Sequence, residues 1–170
     1  MEDESVESIF VDMTNKRNTG IDLEHKVESW AVRRFKASHS DTRYLVNGLS
    51  VRRPYEVDVW IQIPQGLFGW FTIDIWIECK DTMASIKRSD ISLLVSKAKD
   101  VYQAAKKGKQ DLYFNNIMFV ATSRYDNDAI AYADQEGVTC YLYKGKSYAL
   151  VNNREWDDKP KWLQEVEATS

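Results

Sequence analysis

Two carboxylates and a lysine stand at spacings that suit phosphodiester hydrolysis. Glu78 and Lys80 are separated by one residue at the end of a strand-like segment, and Asp58 lies in the strand-like segment before it. Because side chains alternate across a strand, Glu78 and Lys80 point to the same side of a sheet. Two carboxylates and a backbone carbonyl, that of Cys79, are the hard oxygen ligands that Mg²⁺ prefers. The sequence therefore predicts a magnesium site at which Lys80 orients a water molecule or stabilises developing charge.

An alternative interpretation makes these residues ordinary surface charges. Acids on the polar face of an antiparallel hairpin commonly meet only water. The face of Asp58 and Glu78 also carries Trp60 and Trp76, however, which are too large and apolar for an ordinary solvent face. A partly covered pair of acids needs a partner, and a cation is the natural one. The two tryptophans therefore favour a metal site over ordinary surface charges.

Strict alternation predicts the two strands that must position these residues. In residues 55–63 the apolar side chains of Tyr55, Val57, Val59, Ile61 and Ile63 share one face, and Asp58 lies on the other. Residues 70–80 alternate in the same way after a turn at 64–66. The sequence predicts an antiparallel pair. Asp74 lies four residues from Glu78, about 13 Å along the strand, and is not predicted to be a ligand.

Helical and buried-strand patterns fill the rest of the chain. Residues 22–36 predict a first helix, and a polar loop at 38–43 leads to a short strand or hairpin around the turn dipeptide Asn47-Gly48. The later segments predict a helix at 87–107, a buried strand at 117–122, a helix at 126–136 and strands at 138–143 and 147–151. The order α-β-β-β-α-β-α-β indicates an α/β sandwich with a mixed sheet flanked by helices.

Length and composition indicate a single folded domain. The 170 residues are 44% hydrophobic and 29% charged, which is close to the globular average. Acidic extensions are predicted at about 1–13 and 155–170. Cys79 and Cys140 lie in apolar segments, which indicates reduced thiols. With no basic and apolar leader and no apolar run long enough for a bilayer, the sequence predicts a cytoplasmic protein without membrane contact.

The charge is unevenly distributed. The net charge is −3, yet residues 14–154 hold 21 basic against 16 acidic residues. A mildly basic body suits a nucleic-acid partner, and it is equally compatible with an ordinary solvated surface. The lysines at 97, 99, 106, 107 and 109 are predicted to form a solvated helix face. Basic residues near the predicted site are candidate phosphate contacts: Arg33, Arg34, Arg52, Arg53, Lys87 and Arg88.

Asp58 and the triplet Glu78-Cys79-Lys80 resemble the motif of the PD-(D/E)xK nuclease superfamily, in which an Asp on one strand precedes a Glu-x-Lys on the next. Val57 occupies the place of the proline that gives the motif its first letter. The resemblance covers roughly residues 20–145 and extends to Mrr-like and archaeal Holliday-junction-resolvase-like members. Those members begin with a helix that bears a glutamate near the metal, and the matching segments are 20–28, 119–123 and 129–133.

This resemblance implies a restriction-endonuclease-like fold and a Mg²⁺-dependent endonuclease that acts on DNA, with Mn²⁺ as a substitute metal. It also implies a glutamate from the first helix in the site. Glu24 lies nearer the edge of the apolar stripe than Glu28 and is favoured, although both remain candidates. A homodimer follows by analogy, because double-strand cleavage needs two sites.

Two alternatives remain open. One is hydrolysis of RNA or of a branched junction in place of duplex DNA, since substrate choice depends on loop geometry. The other is a catalytically silent module that keeps the fold and binds nucleic acid or a protein partner, which the overall acidity favours.

Overall fold

A computed structural model describes residues 22–152, 155 and 159–170, and the predicted N-terminal acidic extension lies outside these residues. Four helices and six strands occur in the described residues. The helices are α1 (22–35), α2 (Arg88–Lys106), α3 (Asn127–Glu136) and α4 (Lys161–Ala168). The strands are β1 (His39–Val46), β2 (Tyr55–Gln65), β3 (Phe71–Lys80), β4 (Asn116–Ala121), β5 (Thr139–Tyr143) and β6 (Tyr148–Leu150).

The strands form one mixed sheet in the order β1-β2-β3-β4-β5-β6. Strands β1, β2 and β3 are antiparallel, β3, β4 and β5 are parallel, and β6 pairs antiparallel with β5 at the edge. Strand β4 is buried along its whole length, as its uninterrupted apolar sequence predicts. The predicted α/β fold with a central mixed sheet is confirmed.

Helices cover both faces of the sheet. Helix α1 packs on one face through Leu23, Val27 and Ala31, which contact apolar side chains of β2, β3 and β4. Helices α2, α3 and α4 pack on the opposite face. None of the helices in the described part of the chain combines the length and the apolar character that a bilayer-spanning helix requires.

The short strand predicted before Asn47-Gly48 is confirmed at residues 44–46, but the hairpin predicted to continue after this dipeptide is wrong. The chain enters the sheet earlier, because the segment interpreted as a polar loop forms most of β1, and residues 47–54 contain no strand. Strand β1 is an edge strand whose residues His39 to Leu45 are exposed or half-buried, so apolar alternation gives no signal there. The turn dipeptide ends the strand and does not join two paired strands.

Helix α4 was not predicted, because it lies inside the segment interpreted only as an acidic extension. Trp162, Leu163 and Val166 of this helix are buried in the same apolar cluster as α2 and α3. Val166 follows Trp162 by four residues and Leu163 by three, so the three side chains form the apolar stripe of a two-turn amphipathic helix. The C-terminal segment is therefore part of the core.

Candidate functional site

The β2–β3 ladder brings Asp58 next to the end of β3. The ladder runs to the pair Val59–Ile77, and Asp58 and Glu78 lie just beyond that pair on their two strands. The backbone N–H of Cys79 donates a 2.7 Å hydrogen bond to Oδ2 of Asp58. The structure thus brings together the two carboxylates that the motif singles out, at the end of β3 and near the start of β2.

The alternation of β2 changes phase at Asp58. Tyr55 and Val57 pack with the α2-side cluster, whereas Val59 and Ile61 belong to the α1-side cluster. The predicted single apolar face of β2 is therefore wrong. In the register of β1 and β2, Arg43 stands opposite Asp58, and its φ of 55° lies in the left-handed region that non-glycine residues rarely adopt. Such irregularities recur beside functional sites because they redirect a side chain.

The pKa of the Asp58 carboxyl group is raised well above that of an ordinary aspartate. Burial raises its pKa to about 7, the charge of nearby Glu78 adds to the effect, and the hydrogen bond from Cys79 opposes it. The charge of Glu24 raises the pKa further and that of Lys97 lowers it. Asp58 thus titrates near neutral pH, where an ordinary aspartate is fully ionised.

This pKa predicts a pH-dependent stability difference for Asp58→Asn. Because the folded-state pKa is raised, the stability that the proton confers is present at pH 4 and is lost as the pH rises through 7. Relative to wild type, the Asn variant should therefore gain about 4 kcal/mol between pH 4 and pH 8, because the pKa is raised from 3.8 to about 7 and each unit is about 1.36 kcal/mol. Urea unfolding in EDTA at both pH values measures this gain, and an equal difference at the two values would contradict it.

Glu24, rather than Glu28, lies in the electrostatic field of the acid pair. Burial raises the pKa of Glu24, Arg43 lowers it, and the charges of Glu56 and Glu78 raise it again. Glu28 instead accepts a 2.8 Å hydrogen bond from Ser40 and lies 3.7 Å from Nδ1 of His25. The electrostatic coupling of Glu24 with Asp58 and Glu78 therefore favours Glu24 among the two candidates from the first helix.

Glu78 is held by two groups on the α2 side of the sheet. Nζ of Lys97 lies 3.3 Å from Oε1, and the indole N–H of Trp76 donates to Oε2 at 3.1 Å. The prediction that Lys97 lies on a solvated helix face is wrong. Lys97 follows Leu94 by three residues and precedes Val101 by four, so it shares the inward stripe of α2.

Lys80, two residues after Glu78 on β3, forms an ion pair with Asp90 in the first turn of α2. Asp90 also accepts a 2.8 Å hydrogen bond from the backbone N–H of Lys87. The pKa of Asp90 is lowered, because these bonds outweigh its burial. Residue type and spacing gave no indication of Asp90, whose role depends on where α2 begins.

The carboxylate oxygens of Asp58 and Glu78 are ligands that suit a divalent cation, but they do not fill its coordination sphere. Among the described residues, no three His, Cys, Asp or Glu side chains form a group that could hold a metal ion. Asp58 and Glu78 supply carboxylate oxygens, and Cys79, whose carbonyl is the predicted third ligand, contacts Asp58 through its N–H. An octahedral ion that keeps several waters fits two such carboxylates.

The six predicted phosphate contacts lie in two places: four lie before β2 or at the start of α2, and two lie near the end of α1. Arg52 and Arg53 are exposed in the segment before β2, and Lys87 is exposed before α2. Arg88 stacks on Tyr132, with its guanidinium carbon 4.9 Å from the ring centre. The remaining two, Arg33 and Arg34, lie near the end of α1 away from Glu24, and Arg34 forms an ion pair with Glu155.

Asp74 lies outside the site, as its distance along β3 predicts. Its Oδ1 accepts hydrogen bonds from the indole of Trp60 at 2.9 Å and from the amide of Gln62 at 3.1 Å. Trp76 is fully buried and Trp60 is half-buried against the α2-side cluster, so the face is covered. Asp74 thus orders that face without contacting the acid pair.

Comparisons with known proteins bear on the fold. No protein-family model matches the sequence, and neither does any curated protein. A crystal structure titled "Protein of Unknown Function AF1548" is similar over 71% of this chain and 56% of its own, with 17% identity and a TM-score of 0.51. The DNA modification-dependent restriction endonuclease AspBHI is similar over 90% of this chain and 40% of its own, with 14% identity and a TM-score of 0.42. The chain thus spans about half the length of these proteins, and the likeness concerns the fold.

Proposed function

We propose that the protein is a metal-dependent endonuclease of the PD-(D/E)xK type that hydrolyses phosphodiester bonds in DNA. The observation that carries this proposal is the proximity of Asp58 and Glu78 on adjacent strands, where Cys79 donates to Asp58 and where burial and the charge of Glu78 raise the pKa of Asp58 to about 7. Two adjacent, partly buried acids repel each other, and a divalent cation relieves that repulsion. Paired carboxylates of this kind are functional-site candidates on physical grounds.

In this proposal Asp58, Glu78 and the carbonyl of Cys79 hold Mg²⁺, and Mn²⁺ can replace it. The bound ion supplies polarisation of the phosphate and a lowered pKa for a bound water. Asp58 must give up its proton before it can act as a ligand. Lys80 stands one residue beyond Cys79, where its ammonium group orients the attacking water or neutralises charge that develops on the phosphate.

The positioning residues act through these groups. Asp90 fixes the ammonium group of Lys80, and Lys97 fixes the carboxylate of Glu78. Glu24 adds a third acid at the same end of the sheet. Arg52, Arg53 and Lys87 supply positive charge for the nucleic-acid backbone. Cleavage of both strands of a duplex needs two such sites, so a homodimer is part of the proposal.

A cleavage assay on duplex, single-stranded and junction DNA and on RNA tests this function. Each substrate is incubated with Mg²⁺, with Mn²⁺ and with EDTA. We expect cleavage of DNA that requires the metal. Cleavage of RNA alone would reassign the substrate, and no metal-dependent cleavage of any substrate would reject the enzymatic proposal.

The assignment of Glu24 predicts unequal effects for two neighbouring glutamates. Glu24→Gln should lower cleavage by about 10- to 100-fold, the range typical of groups that support metal ligands. Glu28→Gln serves as the matched control, because it changes the same charge on the same helix, and its cleavage rate should stay within about twofold of wild type. Initial rates at saturating Mg²⁺ measure both, and a larger loss in the Glu28 variant would contradict the assignment.

A second candidate function is a catalytically silent module that binds nucleic acid or a protein. It is favoured by the hydrogen bonds of Glu78, both of whose carboxylate oxygens have partners, Lys97 and Trp76. The pairing of Lys80 with Asp90 favours it too. DNA binding measured in EDTA, together with absent cleavage and absent Mg²⁺ binding, would support this module over the enzyme.

A further inference from the structure

A second surface feature lies between α1 and the turn that joins β5 to β6. It is a cleft of about 360 Å³ lined by aromatic and cationic side chains, namely Lys26, Trp30, Arg33, Tyr143, Lys146 and Tyr148. Its volume is at the lower end of the range for small-molecule sites, which suits a ligand about the size of one nucleotide.

The wall of the cleft is a fixed aromatic stack. Trp30 and Tyr148 lie nearly parallel, with ring centres 4.0 Å apart and an interplanar angle of 11°. Tyr143 contacts Tyr148 with a centre distance of 4.9 Å, and Trp30 packs edge-on against Tyr141 at 4.8 Å. All three lining aromatics are half-buried, so each presents part of its ring to the cleft. Such rings offer stacking area at little cost in conformational entropy.

The rim of the cleft is positive. Arg33 and Lys146 are exposed, and neither forms an ion pair with any residue in the described ranges. Lys26 pairs with Asp22, and His25 lies 3.7 Å from Glu28, so two acids also lie near the rim. Lys144 adds another exposed cation in the same turn. Arg33 and Lys146 are therefore the cations available to an anionic ligand.

The end of the cleft at Lys26 lies near the acids, because the charge of Glu24, two residues earlier, acts on the pKa of Asp58. Lys26 follows Glu24 by two residues and lies within electrostatic reach of Asp81, which directly follows Lys80. Arg33 stands seven residues further along α1, about 10 Å along the helix axis. A strand with its phosphate at the acid pair could therefore continue along α1 into the cleft.

We propose that this cleft binds an unpaired nucleotide of the nucleic-acid strand that enters the Asp58–Glu78 site, an inference that rests on the proposed function. A groove that combines cations for the phosphate with aromatic rings for the base is typical of single-strand recognition. A duplex keeps its bases stacked inside and offers none to a cleft of this size. The cleft thus favours substrates with an overhang, a flap or a frayed end.

Fluorescence anisotropy in EDTA tests this inference without cleavage. The probes are a labelled blunt duplex and the same duplex with a ten-nucleotide thymidine overhang. We expect wild type to bind the overhang probe more tightly, and Arg33→Ala/Lys146→Ala to weaken that binding about tenfold while changing blunt-duplex binding less than about twofold. The salt slope for the overhang should also fall by about 1.4, since two phosphate contacts are lost.

Lys107→Ala/Lys109→Ala is the matched control, because it removes two exposed cations beyond the end of α2, and it should leave the preference for the overhang unchanged. The inference is overturned if the Arg33/Lys146 variant binds both probes as wild type does, or loses both equally. Metal-dependent cleavage by wild type is scored separately. If the protein cleaves but does not prefer the overhang probe, the proposed role of the cleft is rejected and the proposed enzyme is not. If it prefers the overhang probe but does not cleave, only the proposed enzymatic function is rejected.

Discussion

Asp58→Asn is expected to lower metal-dependent cleavage by about 1000-fold or more while the protein stays folded. The substitution keeps the size of the side chain and removes the negative charge that would hold the cation. Losing such a ligand removes several kcal/mol of transition-state stabilisation, and each 1.36 kcal/mol is a factor of ten in rate. Single-turnover cleavage of duplex DNA with Mg²⁺ measures the effect, and circular dichroism verifies the fold.

Asp74→Asn is the matched control for that variant. Asp74 is also a half-buried aspartate of the β2–β3 ladder, but it contacts Trp60 and Gln62 rather than Glu78. Its substitution should change the cleavage rate by less than about threefold at saturating metal, because the amide oxygen of Asn can still accept the hydrogen bonds from Trp60 and Gln62. Comparable rates for the Asp58 variant and wild type would remove Asp58 from the chemistry.

Trp162→Ala should destabilise the protein by about 3–5 kcal/mol, the usual cost of deleting a large aromatic side chain from a core. Trp162 is fully buried and packs in the cluster that joins α2, α3 and α4. Urea unfolding followed by circular dichroism measures the change. Gln164→Ala, an exposed position on the same helix, should cost less than about 0.5 kcal/mol. Equal values for the two variants would contradict the packing of α4 as part of the core.

The fold was predictable where the pattern of burial is simple. Strand β3 and helices α1, α2 and α3 could be predicted because their apolar residues recur at the period of the element, and β4 could be predicted because its apolar sequence is uninterrupted. Strand β1 has most of its residues exposed or half-buried, so its alternation carries no apolar signal. Helix α4 is short and lies in an acidic segment, and its packing against α2 and α3 stabilises it.

The site was predictable in its residue types and less so in its surroundings. The acids of β2 and β3 could be paired because their register follows from a single hairpin. The positive φ of Arg43 and the phase change of β2 at Asp58 depend on how three strands meet, which no local pattern encodes. Lys97 was within reach of sequence analysis, since it occupies an inward position of the α2 stripe.

Calorimetric titration of the protein with Mg²⁺ and Mn²⁺ is the most direct test of the Asp58–Glu78 pair as a cation site. We predict one ion bound per chain at pH 8, with binding lost in Glu78→Gln. At pH 6 the apparent affinity should fall by about tenfold, because Asp58 has a pKa near 7 and must release its proton before it binds the ion. Absent binding at pH 8, or binding that Glu78→Gln leaves unchanged, would contradict the site.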